Sequence, residues 1–102
     1  REVVQKGATV ILDYLKEINR AKSTARLDLS CSGLTFVPVE VLRMTNLTHL
    51  KLFKNNLKHL PSAFGGLVNL TSLSVIDNSL SAIPPEMAKL SALKRLRISY
   101  NE

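Results

Sequence analysis

The chain has one cysteine, Cys31, two histidines and no tryptophan. A single thiol excludes an internal disulfide framework and any cysteine-cluster metal centre. Two histidines with scattered carboxylates form no spaced metal motif. No apolar run approaches the roughly 20 residues of a membrane span. The opening Arg1-Glu2-Val3-Val4 has no start Met, and the apolar stretch after it is broken by Gly7 and Thr9, which does not read as a secretory signal. Gly65-Gly66 lacks the further glycines and the lysine of a phosphate loop. What remains is ordinary for a folded domain of 102 residues: 45% hydrophobic, 22% charged, net charge +6.

The informative feature is a repeat. Asn55, Asn78 and Asn101 are 23 residues apart, and so are Pro38, Pro61 and Pro84. Leu47, Leu70 and Leu93 keep the step, as do Leu27, Leu50, Leu73 and Leu96. Further columns read Leu29, Leu52, Val75, Ile98, then Leu34, Leu57, Leu80, then Val37, Leu60, Ile83. Val41, Phe64, Met87 and Met44, Leu67, Leu90 complete the unit, with no insertion between Thr24 and Glu102. Units start at 24, 47 and 70, and a truncated one starts at 93.

The run Leu47-Thr48-His49-Leu50-Lys51-Leu52-Phe53-Lys54-Asn55-Asn56-Leu57 resembles the leucine-rich-repeat pattern L-x-x-L-x-L-x-x-N-x-L. The second halves, from Leu60-Pro61 to Leu67 and from Ile83-Pro84 to Leu90, resemble the 23-residue class. That class is typical of intracellular Ras-group and scribble-type scaffolds and of many ROCO-type GTPases. The resemblance implies an α/β fold: a right-handed solenoid segment of a horseshoe, with a parallel sheet. The first unit departs from the pattern, with Ser32 in place of Asn and Thr24 in place of Leu, as suits a terminal repeat.

Elementary physics agrees with the resemblance. Thr48 to Phe53 alternates as a half-buried strand does, Leu50 and Leu52 to one side and His49, Lys51 and Phe53 to the other. A coil cannot bury its apolar side alone, so coils stack. Strands are expected near 26–30, 48–53, 71–76 and 94–99, with Val37, Leu60 and Ile83 buried. The repeated Asn stands where the chain leaves the strand, where its amide can satisfy backbone groups. The prolines place the returning segment outside the sheet.

Residues 1–23 do not follow the repeat and form a separate N-terminal helical segment ahead of the repeats at 24–102. Val4, Ala8, Ile11, Leu15 and Ile18 fall on one helical face, and Asp13 with Lys16 and Glu17 with Arg20 can pair on the other. Gly7 weakens the front, so the firm helix is expected from about residue 8 to residue 21. Its expected role is to cap the first coil beside Leu27 and Leu34. At the other end only the strand of a fourth unit is present. Leu93, Leu96 and Ile98 are therefore expected to face an absent neighbour, and the chain reads as a fragment of a longer array.

Catalytic chemistry finds no constellation. In an in-register sheet Cys31 and His49 stand roughly 16 Å apart, and Asp28 and His49 roughly 8 Å, both beyond hydrogen-bond reach. The chain reads as no enzyme, with no cofactor, metal or small-molecule substrate. Asn46-Leu47-Thr48 and Asn69-Leu70-Thr71 match the glycosylation acceptor pattern, but both fall on ordinary positions of the repeat. With no paired cysteines at the N-terminal end, a cytoplasmic location is expected.

By the same resemblance, partners bind on the concave sheet face. Spacing assigns Arg26, His49, Ser72 and Arg95 to one column of that face, and Asp28, Lys51, Ser74 and Arg97 to the next. Ser30, Phe53, Ile76 and Ser99 follow, then Cys31, Lys54, Asp77 and Tyr100. With the outermost column, Ala25, Thr48, Thr71 and Lys94, six cations oppose two anions, a net +4 out of +6. The expected site comprises His49, Lys51, Phe53, Lys54, Ile76, Asp77, Arg95, Arg97 and Tyr100, with Phe53 and Ile76 as exposed apolar anchors. The reading is an interaction module of a scaffold or signalling protein, for a protein partner with apolar and acidic surface. The alternative is a regulatory or substrate-recruiting segment of a larger GTPase, kinase or ubiquitin ligase. Few aromatics and no known motif argue against nucleic acid.

Overall fold

The computed structural model describes the backbone of residues 2–101 and the side chains of residues 12–101. Helix α1 (Glu2–Thr24) leads into four short strands: β1 (Arg26–Asp28), β2 (His49–Lys51), β3 (Ser72–Ser74) and β4 (Arg95–Arg97). They form one parallel sheet in the order β1-β2-β3-β4. The register advances by one repeat per strand, Leu27 opposite Leu50, Leu50 opposite Leu73 and Leu73 opposite Leu96. Each return passes through a short helical turn: α2 (Val39–Leu42), then 3-10 turns at Ser62–Gly66 and Pro85–Lys89. Pro38, Pro61 and Pro84 cap these turns with φ of −61°, −70° and −66°, the range the pyrrolidine ring imposes. The architecture is a solenoid of stacked coils with one parallel sheet, as the resemblance implies.

The core lies between the sheet and the returning turns. Leu50, Leu52, Leu73, Val75, Leu57, Phe64, Leu67 and Leu70 are essentially sealed from water. Burying each such side chain contributes roughly 1.5–3 kcal/mol. Neighbouring coils approach closely at Gly65, where an added Cβ would stand 2.7 Å from the Glu86 carbonyl oxygen in the next turn.

Three expectations are revised. The strands are shorter than predicted. Backbone pairing continues past them, with Leu29 N–H to Lys51 O at 2.9 Å and Leu52 N–H to Ser74 O at 2.8 Å, but the chain then turns outward. Ile83 is only half-buried where Val37 and Leu60 are buried, because Leu96 and Ile98 beside it are 41% and 43% exposed and no further coil packs there among the described residues. Helix α1 is longer than residues 8–21, and Gly7 lies inside it.

The buried stripe of α1 also differs in phase. Ile18 and Ala21 are buried and Tyr14 is half-buried, whereas Leu15 is 53% exposed. Val4, Ala8 and Ile11 lie outside the residues with described side chains. Ala21 is fully buried, and α1 packs against β1. The helix ends in a left-handed cap: Ala25 has φ of 61°, and its N–H donates to the Ala21 carbonyl at 2.9 Å. Arg20 pairs with Glu17 at 3.0 Å, while Asp13 and Lys16 form no ion pair. No helix among the described residues is long and apolar enough to cross a membrane.

Candidate partner-binding face

The outer side of the sheet is built by strand alternation. On β2, Leu50 points inward while His49 is half-buried and Lys51 exposed on the other side. Register places Ser72 and then Arg95 beside His49, and Ser74 and then Arg97 beside Lys51. Adjacent strands are about 4.8 Å apart, so Lys51 and Arg97 stand two strands apart with only Ser74 between them. Arg95 and Arg97 are exposed on β4.

Phe53 and Ile76 follow β2 and β3 and sit side by side, as the Lys54 N–H donates to the Ile76 carbonyl at 2.9 Å. The Phe53 N–H is held by the Ser30 hydroxyl oxygen at 3.1 Å. Both side chains are half-buried, where the spacing predicted exposed anchors. Neighbouring strands cover part of each.

Lys54, Asp77 and Tyr100 are not on the strands. With Cys31 they occupy one turn position, at φ of 57°, 60°, 61° and 58° respectively. That left-handed conformation costs a non-glycine residue roughly 1–2 kcal/mol, and every coil accepts it. It swings these side chains to the rim of the face; Tyr100 is 81% exposed there.

The next residue explains why the turn is tolerated. Asn78 Nδ2 donates to the Leu52 and Val75 carbonyls at 2.9 and 3.0 Å, and its Oδ1 accepts the Leu57 N–H at 3.1 Å. Asn55 does the same with Leu29, Leu52, Ser32 and Leu34. Ser32, in the first coil, has no earlier coil to bond and is exposed. The sequon residues are also employed in stacking: Asn69 Nδ2 donates to the Thr45 carbonyl at 2.9 Å, and the Thr71 hydroxyl to the Thr48 carbonyl at 3.0 Å.

Electrostatics on the face are one-sided. Partial burial holds the His49 imidazolium below its ordinary range, and Arg26, Arg95 and Lys51 add repulsion in the same direction. The His49 Nδ1 lies 2.9 Å from the Thr48 hydroxyl. No group of three or more His, Cys, Asp or Glu side chains among the described residues could hold a metal ion.

One feature of the surface has no signal in the repeat. Helix α1 places Asp13, Tyr14 and Glu17 beside Asp28 and Cys31 of the first coil, framing a groove. Burial, and then the hydrogen bond to Glu40, push the Tyr14 phenol up to about 12.

With the stacked coils, the Asn ladder and the sheet face in place, the comparisons with known proteins agree. The leucine rich repeat family profile matches residues 22–80. The chain belongs to the leucine-rich-repeat family. Among solved structures, a leucine-rich-repeat protein from Leptospira interrogans is 26% identical and superposes with a TM-score of 0.70 over 86% of this chain. This chain spans 28% of that protein's length. No curated protein matches. Leucine-rich repeats generally mediate protein–protein interaction.

Proposed function

We propose that the chain is a non-enzymatic interaction module that holds a protein partner on the outer face of β1–β4, centred on Phe53 and Ile76. The observation that carries this is the juxtaposition of two half-buried apolar side chains with the exposed cations Lys51, Lys54, Arg95 and Arg97. The apolar pair supplies a desolvated anchor, and the charges supply steering and selectivity. His49, Asp77 and Tyr100 border the anchor. The fitting partner presents an apolar patch in acidic surroundings. The 23-residue step resembles that of the intracellular scaffold class, and the reading places the chain with that class in the cytoplasm.

The test uses a partner captured by the full-length protein, measured against purified variants at two salt concentrations. Phe53→Ala should weaken binding by about 30-fold or more, the factor equivalent to a 2 kcal/mol anchor. Arg97→Glu should slow association more than it speeds dissociation, and added salt should reduce the difference. If neither substitution changes binding, the partner is held elsewhere, on the convex side or beyond these repeats.

A further inference from the structure

We propose that the groove between α1 and the first coil is a second binding site, of opposite sign, for a basic side chain carried next to an apolar one in a protein segment. It is independent of the sheet-face reading.

The groove encloses about 430 Å³, within the roughly 300–1,000 Å³ of typical ligand sites. Its floor is apolar: Tyr14 and Leu34, both half-buried, with Leu29 beneath them. Its rim carries Asp13, Glu17 and Asp28, and no Lys or Arg lines it among the residues with described side chains. This is unexpected on a chain of net charge +6 with only eight carboxylate side chains. Arg20 offsets part of the Glu17 charge at 3.0 Å, and Lys51 stands opposite Asp28 across the β1–β2 pairing without forming an ion pair with it. Asp28 is held in place by the Ser30 N–H, which donates to its Oδ1 at 3.0 Å. The helix wall is pinned from the other side, where the Tyr14 hydroxyl donates to Glu40 Oε1 at 3.1 Å.

The groove is therefore formed before any ligand arrives. Charge complementarity selects its occupant. An anionic segment is repelled by the rim, and a wholly polar one leaves the floor wet. A Lys or Arg beside a Leu or Ile meets both requirements, the apolar group filling the floor and the cation reaching Asp13 and Asp28. The neighbouring surface, beyond Glu17 and Asp28, is lined by Arg20, Arg26 and Lys51. The sign of the surface thus reverses over one strand, which distinguishes this site from the basic sheet face.

Cys31 opens onto the groove and is the only thiol in the chain, so it can report on what gathers there. The intact chain would be treated separately with cystamine, bis(2-hydroxyethyl) disulfide and 3,3′-dithiodipropionate, a dication, a neutral molecule and a dianion. In each case the Cys31 thiolate attacks one sulfur, a mixed disulfide forms and one small thiolate leaves. Rates are divided by those of N-acetylcysteine amide, which removes the intrinsic reactivity of each probe. Cystamine should exceed the dianion by about 5-fold or more, and the preference should collapse in Asp13→Asn/Asp28→Asn and in high salt. A faster dianion, the order that the net charge alone dictates, overturns the proposal. The apolar half is tested by nuclear magnetic resonance with N-acetyl-leucyl-arginine amide, its glycyl-arginine analogue and its leucyl-glutamate analogue. The first should shift the Tyr14, Leu29 and Leu34 amides most. Equal shifts from all three, or shifts centred on β2–β4, overturn it.

Discussion

The Asn78 Oδ1 accepts the Leu57 backbone N–H at 3.1 Å across the gap between two coils, 21 residues apart in the chain. The same side chain donates to carbonyls of both coils, so one amide satisfies three backbone groups in a region water does not reach. The left-handed turn at Asp77, the outward step of the chain and the register of the sheet all converge on it.

The ladder can be tested by truncating equivalent residues. Asn78→Ala and Asn55→Ala strand buried donors and acceptors at roughly 1–3 kcal/mol per group. Asn101 makes the same pattern of bonds but is half-buried, with its contacts to the Ile98 and Ser99 carbonyls exposed to water. Denaturant unfolding should therefore rank the losses with Asn55 and Asn78 above Asn101. Equal losses at all three positions would show that burial is not what gives the bonds their value.

A second comparison uses one leucine column. Leu73 is fully buried, and Leu96 at the same position of the next coil is 41% exposed. Leu73→Ala should cost roughly 2–5 kcal/mol, the usual range for a packed leucine. Leu96→Ala should cost below about 1 kcal/mol, as for surface changes. Chemical denaturation of both variants decides it, and a small loss at Leu73 contradicts the register.

The two adjacent glycines should behave oppositely. An alanine methyl at Gly65 would stand 2.7 Å from the Glu86 carbonyl oxygen, whereas at Gly66 it meets nothing within 4 Å. Gly65→Ala should destabilise by about 1–3 kcal/mol by forcing neighbouring coils apart. Gly66→Ala should be neutral or slightly stabilising, because it restricts the unfolded chain. Thermal unfolding of the pair reads out the difference.

The face should respond to pH through His49. Its folded-state pKa is lowered by partial burial and by Arg26, Arg95 and Lys51. The unfolded chain therefore binds this proton more readily. The stability associated with neutral His49 is complete above about pH 6.5, the ordinary histidine value, and is lost as pH falls through the lower folded value. In His49→Gln that part of the acid destabilisation should vanish from a pH series of melting temperatures. Binding should move the opposite way: an acidic partner favours the imidazolium, so affinity should rise on mild acidification and lose that dependence in His49→Gln.

Much of the fold was legible because the contacts that build it are repeated. Leu27, Leu50, Leu73 and Leu96 recur at a constant step with no insertion, so the register follows the spacing, while the parallel pairing is what the resemblance to the leucine-rich repeat implies. The Asn column was readable for the same reason. The sheet-face columns were readable as far as the strands run, through Lys51 and Arg97. Beyond them alternation stops, and it could not reveal that Lys54, Asp77 and Tyr100 turn at positive φ or that Phe53 and Ile76 are half covered.

What the amino-acid order determined by itself is the stack: nearest-neighbour contacts between like coils, repeated in three strand pairings. What only the tertiary structure decided is how α1 meets that stack. Its apolar residues are compatible with more than one helical phase. The phase observed, with Tyr14, Ile18 and Ala21 inward and Leu15 outward, goes with packing that has no counterpart in the repeat: α1 against β1, and the Tyr14 hydroxyl on Glu40 of α2. That packing brings Asp13 and Glu17 of the helix to Asp28 of the first coil. No periodicity links those residues, because a helix and a repeat share no common period; only the packing of one against the other makes them neighbours.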